Sequence, residues 1–298
     1  QTDKKVRKLL PRIGLLLVSA LLTVTAMAQD GQADNMLLYQ RSNGGWSKHI
    51  NDVKVDYTKS LSETDLVRLT SDRSRKDATI DNGATTKEIR YLVKAYQKTG
   101  NKAYKQAAEN GIRYLLKMQM ANGGFPQFYP DSSSYRGQIT YNDNAMINAL
   151  SVLRDVANGV DAFADVDASL KAPAKKAVEK GIDCIVKTQV VINGKPTVWG
   201  AQHDKKTLLP INARAFELAS LSGSESVGIV DFLMKEENPS PEVINAVVHA
   251  VNWLKAARIR GYKYTEVEDP SQPQGRDRVL VKDDVSSVWA RFYDLETG

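Results

Sequence analysis

The chain has 298 residues, of which 42% are hydrophobic and 26% charged, a composition typical of a globular protein with room for one large core. Its formal net charge of +6 suggests an acidic partner such as nucleic acid, but five of the 41 Lys and Arg residues and one of the 35 Asp and Glu residues lie within residues 1–28. The remainder holds 36 basic and 34 acidic residues, a net charge of +2, so we expect no nucleic-acid partner.

The first 28 residues have the pattern of a secretory signal peptide. Basic residues precede an apolar run at 13–22, which leads into the small-residue pattern Ala-Met-Ala at 26–28. The run is shorter than the about 20 apolar residues of a transmembrane helix, and no stop-transfer charges follow it. We therefore expect cleavage after Ala28 and export to the periplasm or the cell exterior. The mature form, residues 29–298, is expected to stay outside the membrane.

An internal repeat of helical segments organises the mature chain. The aligned copies, at offsets of 70 and 69 residues, are 111–116, 181–186 and 250–254. Further helices are predicted from apolar spacing and starting signals at 84–99, 145–157 and 225–234. Paired helices at this period favour an all-α fold, an α/α toroid in which an incomplete ring of helical hairpins surrounds a central groove. An irregular helical bundle is the alternative.

Glycine-containing turns with an aromatic residue follow the helical segments, at Trp46, Phe125 and Trp199. Glycine supplies the left-handed residue that ends a helix, so we expect the helices to end at these glycines. The aromatic side chains either fill the core or form platforms for sugar rings, and the pattern favours neither alternative. Residues 265–277 are rich in Pro, Gln, Glu and Asp without apolar periodicity, which predicts a surface loop.

Two of the predicted inner helices begin with an Asp-Asn pair. Asp81 and Asn82 stand at the start of one, and Asp143 and Asn144 at the start of another. Such residues commonly cap helices by accepting hydrogen bonds from free backbone N–H groups, and capping alone explains either pair by itself. In a toroid both starts lie on the same face. The two aspartates would then offer convergent hard oxygen ligands, which suit Ca²⁺.

Three basic residues are candidates for contact with an anion. Arg214 precedes a predicted inner helix and would share the rim with the aspartates, although a lone Arg is most often solvated or salt-bridged. Arg291 stands inside an apolar and aromatic segment, and a buried Arg requires an anionic partner from the protein or from a ligand. Lys48 follows Trp46 and faces either an acidic ligand or solvent.

Several motifs together resemble those of the calcium-dependent pectate lyases of polysaccharide lyase family 10. The segments that carry the resemblance are Asn-Gly-Gly-Trp-Ser-Lys at 43–48, Asp-Asn-Gly-Ala-Thr at 81–85, Asn-Gly-Gly-Phe-Pro-Gln at 122–127, Tyr-Asn-Asp-Asn-Ala-Met at 141–146, Ser-Gly-Ser-Glu-Ser at 222–226 and Trp-Ala-Arg-Phe-Tyr at 289–293. The resemblance covers nearly all of the mature chain. Family members usually continue beyond the last motif, so we expect residues 29–298 to be a C-terminally truncated catalytic domain.

The resemblance implies an α/α toroid that cleaves α-1,4-linked polygalacturonate by anti β-elimination and releases 4,5-unsaturated oligogalacturonides. It implies that Asp81 and Asp143 help to bind a catalytic Ca²⁺ and that Arg214 is the base. An arginine is normally always protonated, but calcium and neighbouring cations would lower its pKa. Candidate substrate-binding residues are Arg291, Asn82, Lys48 and Trp46.

Two other functions remain open at this point. A glycoside hydrolase on an α/α toroid would use two carboxylates that flank the bond, and Asp81 and Asp143 could take those roles. A non-catalytic pectin-binding protein would use the aromatic turns. In each case we expect a monomer.

Overall fold

Helices dominate the computed structural model, which describes residues 29–131 and 133–298. The α-helices are α1 (Gly31–Tyr39), α2 (Glu63–Ser71), α3 (Thr86–Thr99), α4 (Lys102–Met118), α5 (Ala145–Asn158), α6 (Lys171–Thr188), α7 (Gly223–Met234) and α8 (Pro241–Ala256). The strands are β1 (His49–Ile50), β2 (Val53–Lys54), β3 (Ile139–Thr140), β4 (Val191–Ile192), β5 (Lys195–Pro196), β6 (Gln202–His203), β7 (Leu221–Ser222), β8 (Ile259–Glu268), β9 (Arg276–Val288) and β10 (Phe292–Tyr293). The predicted signal peptide, residues 1–28, lies outside the described residues. No helix in the described part of the chain is long and apolar enough to cross a membrane.

The helices pair as hairpins. Helix α3 packs against α4, α5 against α6, and α7 against α8. The inner helices α3, α5 and α7 contact one another in that order, and the outer helices α4, α6 and α8 do the same. The fold is therefore an all-α, incomplete α/α toroid, as the sequence predicts. The inner helices begin and end within two residues of the predicted positions.

Short antiparallel strand pairs join the hairpins near the inner-helix starts. Strand β3 pairs with β6, and β7 pairs with β10. The first pair places the chain before α5 beside the loop that leads toward α7. The second pair brings the segment after α8 back to the start of α7. These pairs collect loops from distant parts of the sequence at one face of the toroid.

Three glutamines end the outer helices and link each one to the next. Gln40, Gln119 and Gln189 follow α1, α4 and α6 in extended backbone. Each side-chain amide donates to a carbonyl oxygen of its own turn and to one on the following outer helix, at 2.8–2.9 Å. The prediction that glycine ends these helices is wrong, because an extended glutamine ends each helix and the glycine comes later in the turn.

The aromatic residues of the turns belong to the core. Trp46, Phe125 and Trp199 are fully buried. The indole N–H of Trp46 donates to the carbonyl oxygen of Met36 at 2.8 Å, and that of Trp199 donates to the oxygen of Ile185 at 2.7 Å. Each tryptophan thus closes its turn onto the preceding outer helix. The alternative of exposed platforms for sugar rings is wrong for all three residues.

Two Asn-Gly turns that read alike in the sequence differ in their surroundings. Gly123 and Gly194 both have positive φ, of 89° and 74°. A Cβ added at Gly123 would overlap the backbone oxygen of Lys180 on α6, whereas a Cβ at Gly194 would meet no atom within 4 Å. Gly123 therefore allows the turn to touch the next outer helix, while Gly194 only allows the chain to reverse.

A long β-hairpin takes in both ends of the predicted loop at 265–277, and residues 269–275 form its connecting loop. Strands β8 and β9 pair in antiparallel register from Ile259 opposite Val288 to Glu268 opposite Arg276. Both strands are largely exposed, and charge pairs cross between them, such as Lys263 with Asp283 at 2.8 Å. A hairpin exposed on both faces requires no apolar alternation. The loop prediction relied on the absence of that alternation and is wrong except at the hairpin's tip.

Candidate active site

The starts of the three inner helices meet at a cleft of about 310 Å³. The 3₁₀ turns Asp81–Gly83 and Asn142–Asn144, which precede α3 and α5, contact each other, and α7 contacts the second turn. The lining residues on which the chemistry depends are Lys48, Asp81, Asn82, Asp143, Arg214 and Glu217. The structure thus brings together five of the seven residues predicted for the site.

Helix capping does not explain the Asp-Asn pairs. The N-cap residues of the outer helices α1, α4 and α8 are Asp30, Asn101 and Ser240, and their side chains accept hydrogen bonds from backbone N–H groups of the first turn. No side-chain cap bond forms at the described starts of α3, α5 and α7. Asn82 and Asp143 adopt left-handed backbone, with φ of 50° and 51°, which Asn and Asp tolerate better than most residues. The aspartates therefore remain available for other contacts.

Negative charge is concentrated around Asp143. Burial raises the pKa of its carboxyl group, and the charges of Asp81 and Glu225 raise it further. Arg291 and Lys48 act in the opposite direction. Asp81 is buried and forms an ion pair with the Lys48 ammonium. The site therefore holds one carboxylate neutralised by a lysine beside a second whose charge is disfavoured.

Glu225 is a residue of the site that the sequence reasoning did not single out. It is buried in the first turn of α7, and the Ser222 hydroxyl donates to its carboxylate. Ser222 and Glu225 have the spacing of a capping box, but no side-chain cap bond forms at this helix start. The available signal was an acidic residue at the start of all three inner helices.

The carboxylates of this cleft fit a calcium ion. Asp81 and Asp143 offer hard oxygen donors, and a divalent cation would relieve the repulsion that raises the pKa of Asp143. Within residues 29–131 and 133–298, no group of three or more His, Cys, Asp or Glu side chains forms a complete metal site. Asp81 and Asp143 are the side chains of this cleft that could hold such an ion.

Arg214 lies at the cleft but is held by a carboxylate. Its guanidinium donates to both oxygens of Glu217, at 2.8 Å and 2.5 Å. These hydrogen bonds and the charge of Glu217 raise the pKa of Arg214 above its ordinary value. Proton abstraction requires the neutral guanidine, so the raised pKa is opposite in direction to what a base needs. The pair with Glu217 is a feature that the sequence reasoning did not anticipate.

The two remaining predicted residues stand outside the cleft lining. Trp46 is buried and has no surface for a sugar ring, so its prediction as a substrate-binding residue is wrong. Arg291 is exposed rather than buried, with its guanidinium 4.9 Å from the Phe292 ring centroid. Its neighbour Phe292 lines the cleft and the charge of Arg291 lowers the pKa of Asp143, so this arginine lies at the rim of the site.

His203, close to the cleft, has a structural role. Its ring is fully buried, Nδ1 donates to the Leu208 oxygen at 2.8 Å, and Nε2 accepts from the Gly200 N–H at 2.9 Å. Both nitrogens are occupied by the neutral ring. Burial lowers its pKa to about 4, so His203 is uncharged at neutral pH.

Comparisons with known proteins agree with the geometry. Residues 40–298 match the model of the family described as pectic acid lyase. An aspartate-to-alanine mutant of a family 10 polysaccharide lyase from Cellvibrio cellulosa, solved in complex with trigalacturonic acid, is 37% identical with a TM-score of 0.77, over 89% of this chain and 78% of that chain. A structure of the family 10 polysaccharide lyase from the same organism is 37% identical with a TM-score of 0.75, over 89% and 77%. No curated protein matches the chain.

Proposed function

Because this chain belongs to the pectic acid lyase family and is a pectate lyase, we propose that it cleaves α-1,4-linked polygalacturonate by calcium-assisted anti β-elimination. The products are 4,5-unsaturated oligogalacturonides. The observation that carries the proposal is the meeting of Asp81 and Asp143 at uncapped helix starts, in a cleft that also contains Lys48 and Arg214. The complex of the similar lyase with trigalacturonic acid supports an acidic galacturonan as the substrate.

Asp81 and Asp143 hold the calcium ion in this proposal, and Lys48 and Asn82 contact the substrate. When bound, calcium supplies a Lewis acid that stabilises negative charge on the C6 carboxylate beside the reacting C5 carbon. Lys48 is the ion-pair partner of Asp81, so a metal held by Asp81 would leave the Lys48 ammonium available to a substrate carboxylate. Arg291 adds positive charge at the rim, next to Asp143.

Arg214 is the proposed base. In the elimination the C5–H bond breaks, its electron pair forms the C4=C5 double bond, and the C4–O bond breaks so that the leaving oxygen takes a proton. Arg214 can accept the C5 proton only as a neutral guanidine, and Glu217 opposes this by raising its pKa. The role therefore requires the Arg214–Glu217 pair to open in the substrate complex, where nearby cations disfavour the charged guanidinium.

The carboxylate pair alone would also suit a glycoside hydrolase. The raised pKa of Asp143 is the direction expected for a general acid. Asp81 is neutralised by Lys48, however, and the three basic side chains of the cleft, Lys48, Arg136 and Arg214, offer partners for the carboxylates of a polyanion, which a neutral glycan lacks. Family membership favours elimination over hydrolysis and over binding without catalysis.

The test measures the ultraviolet absorbance of unsaturated uronides released from polygalacturonate, with calcium and with a chelator. Arg214→Ala is compared with Arg113→Ala, which removes an exposed arginine from outer helix α4. We expect a calcium-dependent rise that Arg113→Ala retains and that Arg214→Ala loses by at least about 100-fold.

Other results contradict particular parts of the proposal. New reducing ends without absorbance would contradict elimination. A rise in chelator would contradict the role of calcium, and an undiminished rise in Arg214→Ala would contradict the base.

The organisation of the protein is part of the same proposal. Residues 29–298 form the catalytic domain, residues 1–28 direct export to the periplasm or the cell exterior, and the mature chain is a monomer. Mass spectrometry of the exported protein would place the cleavage site after Ala28 or elsewhere. Light scattering coupled to size-exclusion chromatography would give the oligomeric state.

A further inference from the structure

A second cavity, of about 460 Å³, adjoins the candidate active site. Lys48, Phe128 and Arg136 line both this cavity and the cleft that contains the two aspartates. Because three residues are shared, the two cavities adjoin each other at these side chains, and we refer to the two together as the groove. A polymer that extends from the cleft into the second cavity would therefore pass along Lys48, Phe128 and Arg136.

Arg136 lies at the junction between the two cavities, and its side chain is held in place by an aromatic ring. Its guanidinium lies over the Phe128 ring, 5.1 Å from the centroid. This stacking restricts the long side chain, and the N–H groups of the guanidinium can still donate hydrogen bonds to a ligand. Its backbone oxygen accepts from the N–H of Gln127 at 2.9 Å and so fixes the strand-like contact beside Phe128. Among the described residues, no carboxylate forms an ion pair with Arg136, although its charge helps to lower the pKa of Asp131. Its charge is thus available to an anionic ligand.

The other charges of the second cavity leave it suited to an anion. Asp77 is neutralised by Arg41 at 2.7 Å and by Arg75 at 3.1 Å. The remaining lining includes Lys48 and His49, with Asp52 as a further acidic group. Arg136, stacked on the Phe128 ring, is therefore the basic side chain of this cavity that has no carboxylate partner among the described residues, since Lys48 pairs with Asp81 and Arg75 with Asp77.

We propose that Phe128 and Arg136 form a galacturonate-binding subsite next to the catalytic cleft, in which Arg136 binds the carboxylate of a sugar unit beyond the reacting one. The inference rests on the proposed function, since it assigns the next sugars of the same chain. Its consequence is specificity for length and charge: longer oligomers gain affinity from this subsite, and oligomers whose distal carboxyl groups are methyl-esterified gain less.

The test compares kcat/KM for galacturonate oligomers from trimer to hexamer in the wild type, Arg136→Gln and Phe128→Leu. Arg113→Gln is the control for loss of one exposed positive charge. In the wild type we expect kcat/KM to rise with length. Arg136→Gln should reduce the gain from trimer to hexamer about tenfold to a hundredfold, mainly through KM, because a charge-assisted hydrogen bond is lost. Phe128→Leu should reduce it less, because the arginine remains but is no longer held by the ring.

The subsite is overturned if Arg136→Gln changes the length dependence no more than Arg113→Gln, or if it lowers kcat/KM equally for every oligomer. A wild type that cleaves no oligomer would refute the proposed function instead. In that case calorimetric binding of the hexamer decides the subsite, since equal affinities of wild type and Arg136→Gln would overturn it and a tenfold or larger loss would support it.

Discussion

Replacement of Gly123 by alanine tests whether the turn contact between outer helices holds the toroid together. The left-handed backbone at this position costs an alanine about 1–2 kcal/mol. The new methyl group would also overlap the backbone oxygen of Lys180, and forcing extra atoms into a packed contact costs about 1–3 kcal/mol. Because that oxygen belongs to α6, it cannot rotate away as a side chain could.

Gly194→Ala is the matched control, since it also has positive φ but meets no atom within 4 Å. Any effect of alanine on the unfolded chain is common to both variants and cancels in the comparison. We expect Gly123→Ala to lower the free energy of unfolding by about 1–3 kcal/mol more than Gly194→Ala. Urea unfolding followed by circular dichroism measures the difference. Equal losses in the two variants would refute the packing argument and leave only the cost of the backbone conformation.

Three further predictions concern the charges near the cleft. Asp143 has a raised pKa in the folded protein, so its contribution to stability is lost as pH rises through that pKa. Asp143→Asn should therefore raise the calcium-free Tm at neutral pH, and it should remove the increase in Tm that calcium gives the wild type. A lower calcium-free Tm in the variant would contradict the electrostatic account. Glu217→Gln removes the group that raises the pKa of Arg214 in the free enzyme, so the acid limb of the pH profile of kcat/KM should move to lower pH. An unchanged limb would contradict the assignment of that limb to Arg214. Burial lowers the pKa of His203 to about 4 from 6.5, so stability worth about 3 kcal/mol is present above pH 6.5 and lost as pH falls toward 4. His203→Gln should flatten this part of the curve of unfolding free energy against pH, and an equally steep curve would assign the loss to other groups.

The sequence predicts the helices well because the apolar spacing of α3, α5 and α7 is regular and each is largely buried on one face. The exposed hairpin β8–β9 carries no such pattern, since cross-strand charges rather than a buried face accompany its pairing. The periodicity of apolar residues therefore predicts helices and strands that contribute to the core, and it misses elements that do not.

The candidate site is predictable where the same residue types recur at equivalent positions. Asp81 and Asp143 are predictable as site residues because the same Asp-Asn sequence stands at the start of both inner helices. The partner of Asp81 is set by a tertiary contact instead, because Lys48 lies 33 residues away in the sequence. Glu217 is only three residues from Arg214, but in an irregular loop this spacing does not by itself predict a contact. The stack of Arg136 on Phe128 has no distinctive spacing in the sequence either.

The glutamine links between outer helices have a consequence for how the protein opens. Gln40, Gln119 and Gln189 each tie one hairpin to the next, so stability is distributed through nearest-neighbour links as in repeat proteins. Amide hydrogens should therefore exchange in steps, with α1 and α8 opening before α5, which has a linked hairpin on either side. The aspartates stand at the starts of α3 and α5, within the segment expected to exchange last. Partial unfolding from either end would thus leave the centre of the groove intact.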